Sequence, residues 1–275
     1  MTEELDQIQI KNLEVFGKHG VFQEENKLGQ KFLINAAVYT HTREAGLKDD
    51  LTKSIHYGEM AHFMTDFMIN HTYQLIETVA EQMARALLLA FPAMEKITLE
   101  ICKPWAPVGL PMETVSVKIT RGWHCAYVAV GSNLGDRGAY IRKGVEALGE
   151  NQDCIVEKES QIIVTKPYGG VEQPDFLNGM LKIRTLLSPM ELLDLLHQVE
   201  QGAHRERKIH WGPRTLDLDI IFYDDWIVDE KRLQIPHPDM QNREFVLKPL
   251  AELAPYYRHP LSGKTVEEML LALKK

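Results

Sequence analysis

The chain has 275 residues, 44% of them hydrophobic and 25% charged. That balance excludes disordered and fibrous classes and leaves either one large domain or two ordinary ones open. The net charge of −8 argues against nucleic acid as a partner, because affinity for it comes from neutralising phosphates. The acidic start, Thr2-Glu3-Glu4-Leu5-Asp6, contains no apolar core region, so a secretory leader is not expected. The longest clean apolar run, Ala86 to Phe91, falls far short of the roughly 20 residues of a membrane span, so no membrane partner is expected. Three scattered cysteines, Cys102, Cys125 and Cys154, fit reduced thiols and a cytoplasmic protein.

In chain order, Ile8 to Phe16 and Phe32 to Thr42 alternate and are rich in β-branched and aromatic residues, which predicts strands. Gly58 to His71 and Gln74 to Phe91 carry apolar residues at helical spacing, the second stopped by Phe91-Pro92. Ile97 to Lys103 and Thr114 to Thr120 read as strands again. Two strands, two helices and two strands form a closed α+β set. A second set follows: strand Ala126 to Val130, helix Tyr140 to Leu148, strand Cys154 to Val164, strand Leu177 to Leu186, a helix from Ser188 over Pro189 to Val199, and strand Leu216 to Tyr223. This alternation predicts a ferredoxin-like α+β sandwich. The join lies near Arg121-Gly122-Trp123-His124, dividing the chain into domains 1–121 and 122–275.

Two stretches in the first domain invite a chemical reading. Its five histidines, His19, His41, His56, His62 and His71, lack metal-ligand spacing, so no metal is expected there. Glu77 stands among Leu75, Ile76, Val79 and Ala80, where an acid needs a donor: either the helix N-terminus or a ligand with adjacent N–H groups. Lys103 closes a strand before Pro104 and suits acid–base work if buried, although most such lysines are surface charges. Tyr57, at a helix entry, is either a proton donor or packing.

The second domain holds the most informative run, His204 to Ile221. On a strand, Asp217 and Asp219 share one face while Leu216, Leu218 and Ile220 line the other. Adjacent carboxylates repel unless a cation lies between them, and Mg²⁺ is the hard cation suited to oxygen ligands and polyphosphates. Alone, such a pair is equally an ordinary exposed strand. Arg205, Arg207, Lys208 and Arg214 place four cations beside it, a mixed site of the kind phosphoryl transfer needs. Trp211 lies in a loop, where it either stacks on a base or buries itself. His237 lies in the turn-rich stretch ending at Arg243.

These motifs resemble a known family. Arg205-x-Arg207, Trp211-Gly212-Pro213-Arg214-Thr215-Leu216-Asp217-Leu218-Asp219-Ile220, Pro236-His237-x-Asp239-Met240-x-Asn242-Arg243, Gly131-Ser132-Asn133-Leu134 and Gln173-Pro174-Asp175-Phe176-Leu177-Asn178 are similar to 6-hydroxymethyl-7,8-dihydropterin pyrophosphokinase. That resemblance implies transfer of the β,γ-pyrophosphoryl group of ATP to the pterin's hydroxymethyl oxygen with two Mg²⁺ held by Asp217 and Asp219. It also implies contacts of Arg205, Arg207, Trp211, Arg214, Arg232, His237 and Arg243 with ATP or the developing charge, with Arg205 and Arg214 catalytic. The pterin would lie between Phe176 and Phe245, with Thr165 and Asn178 on its edge. Gly131-Ser132-Asn133 lacks a Walker lysine and reads as a strand-end turn.

The first domain resembles dihydroneopterin aldolase through Phe16-Gly17-x-His19-Gly20, Glu25-Asn26, Leu28-Gly29-Gln30, His56-Tyr57-Gly58-Glu59, Leu75-Ile76-Glu77-x-x-Ala80-Glu81 and Lys103-Pro104. The implied fold is the T-fold, or tunnelling fold, a homo-oligomer with active sites at subunit interfaces. Glu77 would anchor the pterin, Lys103 and Tyr57 would handle protons, and Glu25 would contact the substrate or its water, with no cofactor. The two resemblances together imply a bifunctional folate-biosynthesis enzyme whose aldolase product is the kinase substrate. The rivals are an Mg²⁺-dependent nucleotidyltransferase with an inert N-terminal scaffold, and a non-enzymatic pterin- or nucleotide-binding protein.

Overall fold

The structure, a computed structural model, describes residues 4–167, 173–203 and 214–273. It divides into two compact units, Met1–Trp123 and His124–Lys275. No helix among the described residues is long and apolar enough to cross a membrane.

The first unit runs β1 (Asp6–Gly17), α1 (Gln23–Leu28), β2 (Gln30–Thr40), α2 (Arg43–Lys48), α3 (Tyr57–Asn70), α4 (Ile76–Ala90), β3 (Lys96–Lys103) and β4 (Val115–Gly122). The strands form one antiparallel sheet in the order β1-β2-β3-β4. Strict alternation in β2 buries Phe32, Ile34, Ala36 and Val38, which sets its register. In α4, Ile76, Val79, Ala80, Met83, Ala84, Leu87 and Leu88 recur at three- and four-residue spacing and all are buried, as an amphipathic helix requires. Each large side chain fully buried in this way contributes about 1.5–3 kcal/mol. The two helices begin within two residues of their predicted starts. The short helices α1 and α2 carry no apolar period and were not legible in the sequence.

The second unit runs β5 (His124–Ser132), α5 (Arg137–Gly149), β6 (Cys154–Glu159), β7 (Ile163–Thr165), β8 (Phe176–Thr185), α6 (Pro189–Gly202), β9 (Asp217–Tyr223), β10 (Val228–Glu230), β11 (Leu233–Ile235), α7 (Glu244–Leu253) and α8 (Val266–Leu273). The sheet order β6-β8-β5-β9, all antiparallel, is the ferredoxin-like arrangement of a βαββαβ chain. One expectation is corrected: Cys154 to Val164 is two strands. A register shift between Val156 and Lys158 bends β6, and β7 pairs farther along β8. Ser188 caps α6 through a reciprocal capping box with Glu191. Val128, Val130, Leu218 and Ile220 pack with Ile141, Leu148, Leu192 and Leu196 of α5 and α6. Tyr127, Met180, Ile221 and Phe222 pack with Val246, Leu247, Leu250 and Met269 of α7 and α8. The sheet is therefore covered on both faces, with a third layer that the sequence patterns did not announce.

Candidate active sites

In the first unit, β3 delivers Lys103 at its buried end, and the turn after β1 delivers Glu25 in the first turn of α1. Their side chains are only 11% and 9% exposed, and Lys103 Nζ lies 2.6 Å from Glu25 Oε1. Gln30 Nε2 also donates to Glu25 Oε1 (2.8 Å), and the Phe22 N–H donates to Oε2 (3.0 Å). Burial pushes the Glu25 carboxyl up, but the bonds from Lys103, Phe22 and Gln30, with the lysine's charge, outweigh it and hold the carboxyl below its ordinary value. This is a shielded carboxylate–ammonium pair, a geometry suited to holding and moving one proton.

Tyr57 and Glu77 are carried by two other elements. Tyr57 opens α3 and is 64% exposed, beside His56, whose Nδ1 caps the helix by accepting from Gly58 and Glu59 N–H. Glu77 lies in the first turn of α4 and is exposed, while Ile76, Val79 and Ala80 turn inward. The expectation that apolar neighbours enclose Glu77 is thus corrected: Ile76, Val79 and Ala80 form the buried stripe of α4, Leu75 before the helix is half-exposed, and Glu77 stands exposed at the edge of that stripe.

In the second unit, Leu218 and Ile220 are buried in the sheet core while Asp217 and Asp219 are only partly covered, so the two carboxylates share one face. Glu200 of α6, 3% exposed, fixes this strand start by accepting from the Leu218 N–H (2.8 Å). Gly131 of β5 pairs with Asp217 on one side and Asn178 on the other. A Cβ at Gly131 would come 2.9 Å from Asn178 Oδ1, so the bare glycine keeps the middle of this row clear. Asn178 Nδ2 donates to Thr165 Oγ1 (2.7 Å), and Thr165 pairs with Phe176 in register. These three predicted pterin contacts therefore form one group.

Asn133, which sequence reasoning left without a role, organises the mouth of this region. It is 1% exposed and exchanges bonds with Arg214: Arg214 N donates to Asn133 Oδ1 (2.7 Å) and Asn133 N donates to Arg214 O (3.0 Å). Its Nδ2 donates to Gln173 Oε1 and Pro174 O (3.1 and 3.3 Å). Arg214 Nη1 in turn donates to Asp217 Oδ2. On the loop before α7, the His237 N–H donates to Ile221 O, and His237 Nδ1 accepts from the Asp239 N–H. Burial first, and then the Arg243 charge, lower the His237 pKa against the pull of Asp239 and Asp217. Arg243 Nε donates to Asp239 Oδ2 (2.8 Å), and its guanidinium lies 5.8 Å from the Phe245 ring centre. Arg232 is engaged elsewhere, paired with Asp194 of α6. Arg205, Arg207 and Trp211 lie outside the described residues.

No cluster of three or more His, Cys, Asp or Glu with metal-holding geometry occurs among the described residues. Two carboxylates on one strand face fit Mg²⁺ in its usual phosphate-bound form, which takes one or two carboxylates and completes its shell from phosphates and water.

Residues 127–255 match the family model described as 7,8-dihydro-6-hydroxymethylpterin-pyrophosphokinase, and residues 8–120 match that of dihydroneopterin aldolase. The 2-amino-4-hydroxy-6-hydroxymethyldihydropteridine pyrophosphokinase of Bacillus subtilis is 45% identical over 46% of this chain and 77% of its own length. The bifunctional protein FolKE of Lactococcus lactis is 50% identical over 46% of this chain. The folic acid synthesis protein fol1 of Pneumocystis carinii is 30% identical over 95% of this chain. The chain spans only 36% and 37% of the lengths of these last two relatives. The chain therefore belongs to the hydroxymethyldihydropterin pyrophosphokinase family through its C-terminal unit, while its N-terminal unit is similar to dihydroneopterin aldolase over residues 8–120.

Proposed function

We propose that the chain is a bifunctional enzyme of folate biosynthesis, with residues 1–121 as aldolase and 122–275 as pyrophosphokinase. The observation that carries this reading is the shielded Glu25–Lys103 pair, found in the unit whose partner carries the Asn178–Gly131–Asp217 row. In the first reaction, the 2′-hydroxyl of 7,8-dihydroneopterin loses its proton and the C1′–C2′ bond breaks. Glycolaldehyde departs, the electron pair passes into the pterin ring, and C1′ regains a proton. Lys103 moves these protons with Tyr57, Glu25 holds the ammonium and contacts substrate or its water, and Glu77 anchors the pterin. No cofactor takes part in this step.

In the second reaction the hydroxymethyl oxygen attacks the β-phosphorus of ATP and AMP leaves. Phe176 and Phe245 hold the pterin faces, and Thr165 and Asn178 its edge. Asp217 and Asp219 would hold two Mg²⁺, which supply charge neutralisation at the phosphates when bound. Arg214 and Arg243, with Arg205, Arg207, Trp211, Arg232 and His237, bind ATP and the charge that develops on it. The exposed positions of Tyr57 and Glu77 and the open edges of β1 and β4 support a homo-oligomer built through the N-terminal unit. Three free thiols support a cytoplasmic location.

The test supplies 7,8-dihydroneopterin, ATP and Mg²⁺ to the whole chain, with glycolaldehyde and AMP as the expected products. Lys103→Ala should stop glycolaldehyde release while AMP still forms from supplied hydroxymethyldihydropterin, and Asp217→Ala should do the reverse. Pyrophosphate in place of AMP would point to nucleotidyl transfer, and intact AMP formation by Asp217→Ala would sink the metal assignment.

A further inference from the structure

We infer that His19 is a positioning residue for the aldolase reaction proposed above, locking the turn beneath Glu25 to the segment that leads into Glu77. His19 is fully buried (0% exposed), and both ring nitrogens are engaged. Its Nδ1 accepts from the Tyr73 N–H at 3.1 Å, so the ring proton sits on Nε2, which donates to Met68 O at 3.1 Å. Met68 lies in the last turn of α3, where carbonyls lack helical partners, so His19 supplies a donor the helix end needs. The neighbouring Gly20 N–H donates to Tyr73 O at 2.9 Å. Residues 19 and 20 are thereby tied to Tyr73 by two bonds in opposite directions. The imidazole also lies parallel to the Tyr73 ring (centroids 6.0 Å apart, 9° between planes) and edge-on to Phe32.

The other end of this link is Glu25. A Cβ at Gly20, whose φ is +154°, would fall 2.3 Å from the Glu25 carboxyl carbon, so the carboxylate rests directly on the Gly20 backbone. Asn26 Nδ2 donates to Gly20 O at 2.9 Å and holds the same turn from the α1 side. A continuous path thus runs from the Glu25 carboxylate through Gly20 and His19 to Tyr73, four residues before Glu77. Glu25 and Glu77 belong to different elements, and His19 is the buried side chain that joins their approaches. A direct proton-transfer role is a poor fit, since burial pushes the imidazole toward its neutral form and neither nitrogen faces solvent.

Two variants split the link. His19→Asn keeps an acceptor near Nδ1 for the Tyr73 N–H; His19→Gln reaches toward Met68 O and leaves the Tyr73 N–H unmet. The expected result is that His19→Gln raises the KM for dihydroneopterin about tenfold, the worth of one lost buried hydrogen bond, while His19→Asn stays within about threefold. Kinase turnover of supplied hydroxymethyldihydropterin by the same chains should be unchanged, and thermal stability should fall in both. Gly20→Ala, with His19 intact, should raise the same KM by displacing the Glu25 carboxylate, and it decides the matter should His19→Gln fail to fold. Wild-type KM in Gly20→Ala, or equal aldolase loss in the two His19 variants, would overturn the inference. A wild-type chain that releases no glycolaldehyde would remove the aldolase reading and the inference with it, a result distinct from either.

Discussion

Removing the Glu25 carboxylate while leaving Lys103 in place puts an ammonium only 11% exposed into a shielded site without its counter-ion. Breaking such a pair from one side costs about 3–5 kcal/mol, and the residual exposure of both side chains places Glu25→Ala at the low end, about 3 kcal/mol. That sum includes the acceptors lost by Gln30 Nε2 and the Phe22 N–H. Lys103→Met costs less, about 1–2 kcal/mol, because Glu25 keeps those two donors. If the charges are coupled, the double variant costs about 2 kcal/mol less than the two singles combined. Hydrogen exchange read by mass spectrometry on peptides from β2 and β3 of the whole chain measures each value without requiring the unit to fold alone. The pH dependence has a defined sign. Glu25 is held below its ordinary value, so its contribution is complete above the usual carboxylate range and disappears as pH falls through the lowered value. The gap between wild type and Glu25→Ala should therefore narrow below about pH 4. Strict additivity of the two single costs at neutral pH would refute the coupling.

Gly131→Ala should raise the KM for hydroxymethyldihydropterin about tenfold, with the KM for ATP nearly unchanged, because its Cβ would crowd Asn178 Oδ1 at 2.9 Å; steady-state AMP assays separate the two constants. Glu200→Leu removes the acceptor of the buried Leu218 N–H and should cost about 1–3 kcal/mol in denaturant unfolding, whereas Glu200→Gln should recover most of it. Asn133→Ala keeps the backbone bond to Arg214 O but loses the side-chain bonds to the Arg214 N–H, Gln173 and Pro174 together, so both KM values should rise in the same assay. A change in one alone would show that the asparagine does not join the two sides.

What the sequence alone determined was local. The alternation in β2 and the three-four stripe of α4 encode which faces are buried, since the side-chain period of each element is fixed by its backbone. The same logic put Asp217 and Asp219 on one face, and the motif runs carried both family resemblances. Tertiary structure decided the partners. Nothing periodic joins Lys103 to Glu25, Asn133 to Arg214 across 81 residues, or His19 to Met68 and Tyr73 across 49 and 54. The misreading of Glu77 has the same origin, because a residue at the edge of a helix's apolar stripe stays exposed even though its neighbours in sequence are buried. The layer of α7 and α8 became visible only where it covered Tyr127 and Phe222 on the second sheet face. Local spacing reports which way a side chain faces, but what it meets there depends on chain segments brought close only by folding.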